Sequence, residues 1–119
     1  MGKALRLLLV EDQVSDAALL LDQLGRFGYD VASERVDTAQ GMRAALLAGE
    51  WDLIISDFSM PRFGALEALR VRQELGLDLP MLIVSGSIQE EDAVDCLQQG
   101  ADDFVTKGRL SRLGPAIER

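Results

Sequence analysis

The chain has 119 residues, of which 48% are hydrophobic and 27% are charged, a composition typical of one globular domain with a buried core. Its formal charge of −8 argues against direct binding to a nucleic-acid backbone, which requires a basic surface. The sequence contains no histidine, which excludes a Ser-His-Asp triad, a zinc site with histidine ligands and a phosphohistidine within it.

The first predicted strand is the apolar run at residues 5–10, and it stops at two acids, Glu11 and Asp12. A helix is predicted from Val14, because apolar residues recur there at the i, i+3, i+4, i+7 spacing. The apolar positions are Val14, Ala17, Ala18, Leu21 and Leu24. Asp16 lies in the first turn, where a negative charge suits the helix dipole.

Residues 29–36 alternate loosely between apolar and polar side chains, which predicts a strand at the outer edge of the sheet with one wetter face. Asp37 or Thr38 can cap a second helix, and Gly49 lies just past its expected end. The apolar positions of this helix are Met42, Ala45 and Leu46.

The third predicted strand, at residues 53–55, leads to Asp57. Pro61 then prevents the backbone from continuing as a central strand. A strand that is buried on both faces therefore delivers an acid to its carboxyl end. Gly64 belongs to the turn into a third helix, whose spacing buries Leu66 and Leu69.

The fourth strand is predicted at residues 81–84, which are all apolar, and it ends at Ser85. Ser87 and Glu90 form a capping-box pattern that begins a fourth helix. The apolar positions of this helix are Ala93, Val94 and Leu97. The single cysteine, Cys96, cannot form a disulfide within the chain, and we expect a packed or half-exposed structural thiol.

A short fifth strand at residues 104–106 ends at Lys107, and a fifth helix is expected between Gly108 and Arg119. Five strands that alternate with helices predict an α/β fold, in which helices cover both faces of a parallel sheet. In such a sheet ligands bind beyond the carboxyl ends of the strands. The side chains at those ends are Glu11, Asp12, Asp57, Ser85 and Lys107.

Three carboxylates at one edge repel one another unless a cation lies among them. Mg²⁺ prefers oxygen ligands and keeps several waters, so Asp12, Asp57 and the backbone carbonyl of Ser59 would suffice, with Glu11 acting through water. A carboxylate beside Mg²⁺, with an ammonium and a hydroxyl nearby, suits phosphoryl transfer. Asp57 is then the predicted nucleophile, and Lys107 and Ser85 would each bind one phosphoryl oxygen.

Four motifs in order resemble those of the response-regulator receiver domain of two-component signalling. They are Val10-Glu11-Asp12, Asp57-Phe-Ser-Met-Pro61, Val84-Ser85-Gly86 and Phe104-Val105-Thr106-Lys107. The resemblance covers essentially the whole chain, residues 1–119, as a single domain. It implies a flavodoxin-like (βα)5 three-layer sandwich with a five-stranded parallel sheet in the order 2-1-3-4-5.

The resemblance also implies a function. A sensor histidine kinase or a histidine phosphotransfer protein would donate phosphoryl from its phosphohistidine to Asp57, with Mg²⁺ as cofactor. The domain would catalyse only its own phosphorylation and dephosphorylation. Phosphorylation would pull Ser85 toward the phosphoryl group and turn Phe104 inward, which would alter the face formed by the fourth helix, the fifth strand and the fifth helix.

Two positions depart from the family pattern. Gly108 follows Lys107, where the family usually has proline, and Gly64 is shifted by one residue from the usual glycine. Receivers attached to sensory kinases and other multi-domain signalling proteins often show such departures. A covalently linked kinase or output domain is therefore expected.

Two alternatives stay open. A receiver-like scaffold would bind partners without being phosphorylated, which the Lys107-Gly108 pair motivates. A flavin-binding flavodoxin-like domain shares the architecture, but acids at the end of its first strand would repel a phosphate. A cytoplasmic protein without a membrane span is expected, because no apolar run approaches about 20 residues and the N-terminus has no signal-peptide pattern.

Overall fold

The structure, a computed structural model, describes residues 2–58, 60, 63–86 and 90–118. Strands and helices alternate along the chain as β1 (Lys3–Val10), α1 (Val14–Arg26), β2 (Tyr29–Val36), α2 (Ala39–Ala48), β3 (Leu53–Asp57), α3 (Ala65–Glu74), β4 (Met81–Ser85), α4 (Glu90–Gln98), β5 (Asp103–Thr106), a 3₁₀ helix (Lys107–Arg112) and α5 (Leu113–Glu118). The five strands are parallel and lie in the order β2-β1-β3-β4-β5. The predicted fold class, strand order and edge position of β2 are confirmed.

Two apolar layers cover the sheet, one on each face. Because side chains alternate along a strand, Leu8 and Ile54 face one layer, while Leu9 and Ile55 face the other. Helices α2, α3 and α4 complete the first layer, and α1 and α5 complete the second. The central strands are buried on both faces, which explains their nearly continuous apolar sequence.

Helix α1 buries a face that coincides only in part with its apolar spacing. Its buried residues are Ala17, Leu20 and Leu24. Two residues of the spacing, Val14 at 65% exposure and Ala18, are exposed instead. Three consecutive leucines at 19–21 provide apolar side chains at neighbouring angles around the helix. The spacing alone therefore does not determine which of them faces the sheet.

Helix α4 differs in the same way, since Val94 and Leu97 are exposed while Cys96 is fully buried. The capping-box residue Ser87 lies outside the described residues. In α2, by contrast, the predicted cap is present, because the Gly41 N–H donates to the Thr38 hydroxyl at 2.9 Å. The predicted buried positions of α2 are buried as well.

The end of the chain is less regular than a single helix. A 3₁₀ helix begins at Lys107, and α5 follows it only from Leu113. Gly114 lies so close to the Phe27 ring that a Cβ atom there would stand 2.8 Å from a ring carbon. Glycine therefore permits the close approach of α5 to the end of α1. Within the described ranges, no helix combines the length and the apolar character that crossing a membrane requires.

The buried Arg72 side chain stabilises the edge of the sheet opposite the acidic residues, where β4 and β5 begin. The Arg72 side chain of α3 donates hydrogen bonds to the carbonyl oxygens of Leu79 and Gly100, both at 2.8 Å. These two carbonyls belong to the segments that lead into β4 and β5. Arg72 is buried, so water does not readily replace either bond when the side chain is removed.

We predict that Arg72→Met lowers the free energy of unfolding by roughly 2–3 kcal/mol, because two buried carbonyl groups lose a charged donor. Urea denaturation followed by circular dichroism measures this change. Arg70→Met is the matched control, since Arg70 lies on the same helix and is exposed. Equal and small effects of the two substitutions would contradict the stabilising role of Arg72.

Candidate functional site

The parallel register brings the ends of four strands to one edge. Val10 is level with Ser56, Asp57 with Val84, and Ser85 with Thr106. The residues at or just after these ends, Glu11, Asp57, Ser85 and Lys107, therefore lie near the same level of the sheet. The structure thus assembles the edge that the sequence predicts.

Strand alternation also decides which face the charged groups approach. Glu11 continues the series of Leu7 and Leu9, and Lys107 continues that of Val105. All these apolar residues belong to the layer covered by α1 and α5. Asp57 continues the corresponding series of β3 toward the same layer. The charged groups therefore meet on the side of the sheet where α1 begins.

Three carboxylates form a compact group at this edge. Glu11, Asp12 and Asp57 each offer an oxygen atom, and the three atoms lie within 4.8 Å of one another. Glu11 is 4% exposed and Asp57 is 8% exposed, whereas Asp12 is half-buried. Three carboxylate oxygens so close together are compatible with binding a hard cation such as Mg²⁺, which prefers oxygen ligands. The fourth predicted ligand, the carbonyl of Ser59, lies outside the described residues.

The environment of Glu11 opposes its ionisation. Burial raises the pKa of the Glu11 carboxyl above its ordinary value of 4.5, a hydrogen bond from the Gln13 N–H lowers it in part, and the charge of Asp57 raises it further. That hydrogen bond from Gln13 is 3.1 Å long. The nearby positive charge of Lys107 also favours the ionised form. The ionisation of Glu11 therefore depends on the charges of Asp57, which opposes it, and of Lys107, which favours it.

Lys107 supplies the positive charge of the site. Its Nζ atom lies 3.2 Å from Glu11 Oε1, 3.4 Å from Asp57 Oδ2 and 2.6 Å from Asp16 Oδ2. Burial lowers the pKa of the Lys107 ammonium, but the hydrogen bond to Asp16 and the charges of Asp57 and Glu11 outweigh it and hold the pKa above its ordinary value. Lys107 is therefore firmly cationic.

Sequence reasoning missed Asp16 as a site residue, because its place in the first turn of α1 is explained by the helix dipole alone. Asp16 precedes Leu20 by one helical turn, and Leu20 is buried against the sheet. Asp16 therefore lies on the inward side of α1, at the end that is nearest the carboxyl edge. Had Leu20 been assigned to the buried face of α1, its spacing of four residues from Asp16 would have indicated that Asp16 lies near the site.

A second residue that sequence reasoning missed is Arg35, from the edge strand β2. Its guanidinium Nη1 donates to the backbone carbonyl of Glu11 at 3.0 Å. The Glu11 N–H in turn donates to the Val36 carbonyl at 3.0 Å. These two bonds hold the first residue after β1 against β2, and so fix the start of the acidic loop.

The two predicted switch residues lie on the other face of the sheet. Ser85 is buried at the end of β4, and Phe104 is buried in β5. The Phe104 ring centroid is 6.0 Å from that of Phe58, the residue after Asp57. The ring is thus already inward in this conformation, and its movement on phosphorylation stays a prediction.

Comparison with known proteins identifies the relatives of this chain. A family model described as response regulator receiver domain matches residues 7–117. The transcriptional regulatory protein DltR of Streptococcus agalactiae is 35% identical over 103 residues, which are 87% of this chain and 45% of DltR. The sensor histidine kinase RcsC of Escherichia coli is 31% identical over 103 residues, which are 85% of this chain and 10% of RcsC.

A solved structure gives the same architecture. The receiver domain of the Francisella response regulator 1452 superposes with a TM-score of 0.81 at 19% identity, over 96% of this chain and 93% of that one. At that identity the likeness concerns the fold alone. The chain spans less than half of the length of DltR and a tenth of the length of RcsC.

We predict that Lys107→Met lowers the free energy of unfolding by roughly 2 kcal/mol at neutral pH, because three carboxylates lose their shared cation in a partly buried site. The loss should be larger at about pH 8 than at about pH 5. Lys107 lowers the pKa of Glu11, so its removal raises that already elevated pKa further. At about pH 5 the variant can protonate Glu11 and relieve the repulsion, whereas this stabilisation disappears as pH rises through the folded-state pKa and leaves ionised Glu11 without its cation at about pH 8.

Urea denaturation in metal-free buffer at both pH values measures these losses. Lys3→Met is the control, because the only other lysine forms an exposed ion pair with Glu118 and should matter little. A Lys107→Met loss that is the same at both pH values would contradict the coupling to Glu11.

Proposed function

The chain belongs to the response-regulator receiver domain family, and from this premise we propose that it accepts a phosphoryl group on Asp57. One observation carries the proposal. The Asp57 carboxylate stands at the end of β3, with oxygens of Glu11 and Asp12 within 4.8 Å and the Lys107 ammonium at 3.4 Å. A nucleophile, a divalent-cation ligand set and a fixed cation are the components that phosphoryl transfer requires.

In the proposed reaction, a carboxylate oxygen of Asp57 attacks the phosphorus of a phosphohistidine on a partner protein. A P–O bond forms at Asp57 while the P–N bond breaks, and its electron pair returns to the imidazole nitrogen. Asp57 is 8% exposed, so little water competes for its oxygens. Lys107 and the Ser85 hydroxyl would each donate a hydrogen bond to a phosphoryl oxygen. The domain would act as an enzyme only on itself.

Asp12 and Asp57, with Glu11 through a water molecule, would hold Mg²⁺ in this proposal. The backbone carbonyl of Ser59 is the remaining proposed ligand of Mg²⁺. It is proposed from the sequence, because Ser59 lies outside the described residues. When bound, Mg²⁺ supplies positive charge that offsets the negative charge of the phosphoryl oxygens. The three carboxylates suit that role because they are close together, mostly buried and rich in negative charge.

The donor must be another protein or another part of a longer one, because this sequence has no histidine. We propose a sensor histidine kinase or a histidine phosphotransfer protein, and a relative named as a sensor histidine kinase supports that class. A covalently linked kinase or output domain belongs to the same proposal. The charge of −8 speaks against nucleic-acid binding by this domain itself.

The proposed response involves Ser85, Phe104 and the surface of α4, β5 and α5. Movement of Ser85 toward the phosphoryl group would disturb the end of β4, which pairs with β5 at Thr106. Phe104 lies on β5, so a shift of that strand would reach its ring. The cytoplasmic location stays a prediction.

We predict that the protein gains the mass of one phosphoryl group when it is incubated with acetyl phosphate and Mg²⁺, and that Asp57→Asn abolishes this gain because the nucleophile is lost. Intact mass spectrometry measures it. Asp78→Asn is the control, since that exposed aspartate lies in the loop before β4, at the opposite edge of the sheet. Identical behaviour of wild type and Asp57→Asn would favour the phosphorylation-independent scaffold.

We also predict saturable Mg²⁺ binding, which Asp12→Ala weakens by about tenfold or more through the loss of a direct ligand. Isothermal titration calorimetry measures both affinities. Asp37→Ala serves as the control, because this exposed acid follows β2 at the same edge but lies outside the carboxylate group. Equal Mg²⁺ affinities of wild type and Asp12→Ala would refute the ligand set.

A further inference from the structure

Asp16 makes the shortest contact of the Lys107 ammonium, at 2.6 Å, although it lies on α1 and not at a strand end. We infer that Asp16 is a positioning residue whose carboxylate retains Lys107 at the acceptor site when a divalent cation enters. This inference rests on the proposed function, because it concerns the lysine that would bind the phosphoryl group.

The three carboxylate partners of Lys107 differ in their relation to the cation site. Glu11 and Asp57 belong to the carboxylate group that could hold a cation, and among the described residues Asp16 does not. A cation bound to that group would offset the charges of Glu11 and Asp57 and repel the ammonium. The contact with Asp16 is the one of the three that does not compete with the cation. It is therefore the contact that would persist.

The residue after Lys107 gives it no packing support. Gly108 follows Lys107, and apart from the adjoining backbone no described atom lies within 4 Å of the place where a Cβ atom of Gly108 would stand. The next residue, Arg109, has φ −131° and ψ 47°, which departs from helical geometry inside the 3₁₀ segment. Gly108 itself therefore adds no packing, although Leu110 packs against the apolar layer between α1 and the sheet. The ammonium lies at the end of a long side chain, where its charged partners position it.

Asp16, in contrast, lies on a firmly packed element. Its neighbour Ala17 and the next-turn residue Leu20 are buried in the layer between α1 and the sheet. A cavity of about 50 Å³ lies beside the ion pair, and its lining includes Asp16 and Leu20 of α1 and Lys107 and Leu110 of the 3₁₀ helix. The Lys107 side chain is only 25% exposed. The ion pair is thus partly shielded from water, which strengthens it.

Removal of the Asp16 carboxylate should therefore have two separable effects. The carboxylates that would bind the cation remain, so cation affinity should change little. The ammonium, repelled by the bound cation and no longer retained by α1, should spend more time in solvent. Phosphoryl transfer should then slow although the nucleophile and the cation are both in place.

The chain offers a direct readout of the ammonium, because Lys3 and Lys107 are its only two lysines. Lys3 is 73% exposed and serves as an internal reference for acylation by an N-hydroxysuccinimide ester, quantified by peptide mass spectrometry. In the wild type, Mg²⁺ should leave the ratio of Lys107 to Lys3 acylation low. In Asp16→Asn, Mg²⁺ should raise the ratio by roughly threefold to fivefold, the effect of losing one ion pair.

Asp16→Glu should restore the low ratio, because it keeps a carboxylate on the same turn. Asp22→Asn removes one negative charge from an exposed position on α1 and should behave like the wild type. If Asp16 had only a structural role, Asp16→Asn would change the ratio of Lys107 to Lys3 acylation equally in the presence and in the absence of Mg²⁺. That result, or a ratio in Asp16→Asn that Mg²⁺ does not raise, would overturn the inference.

Phosphorylation by acetyl phosphate at saturating Mg²⁺ gives the second readout. Asp16→Asn should slow it by about tenfold or more through misplacement of the cationic group, with the Mg²⁺ affinity nearly unchanged. An unchanged rate would also overturn the inference. If the wild type itself accepts no phosphoryl group, the proposed function fails, while the acylation ratios still decide whether Asp16 retains Lys107.

Discussion

The ammonium of Lys107 is the positive charge on which the arrangement of the carboxyl edge depends. Glu11, Asp57 and Asp16 converge on it, and two of these carboxylates are almost completely removed from water. Buried like charges are costly unless a counter-charge lies among them. One lysine with three donors meets that need, at distances of 2.6 to 3.4 Å. The same negative group is what makes the edge suitable for a divalent cation.

The parallel sheet explains how these groups meet although they are far apart in sequence. Lys107 contacts Glu11 across 96 positions and Asp57 across 50. Parallel strands end at a common edge, and the side-chain alternation of β1, β3 and β5 directs Glu11, Asp57 and Lys107 toward the layer that contains α1. A slip of one residue in any of these strands would turn its charged group to the other face. The registers that define the core therefore also define the site.

The strands and their end residues could be predicted because strands buried on both faces have nearly continuous apolar sequences that stop at polar residues. The buried faces of the helices were harder to predict. In α1, consecutive leucines at 19–21 made the choice of face ambiguous, and Val14 and Ala18 of the apolar spacing are exposed. That ambiguity also concealed Asp16, since the buried face runs through Leu20 and brings Asp16 to the edge. Only the tertiary packing of α1 against the sheet resolves such a choice.

The contact between Asp16 and Lys107 joins two elements that also share a core. Leu20 and Leu24 of α1 lie in the same apolar layer as Leu113 of α5, and Lys107 begins the 3₁₀ helix that leads into α5. Close packing of α5 against α1 at Gly114 limits how far either helix can shift alone. Gly108 adds no side-chain packing directly after Lys107, and Leu110 packs against the apolar layer only three residues further on, so the ion pairs of Lys107 help to position its ammonium. A change of charge at the edge therefore alters an ion pair that joins the beginning of α1 to the segment before α5.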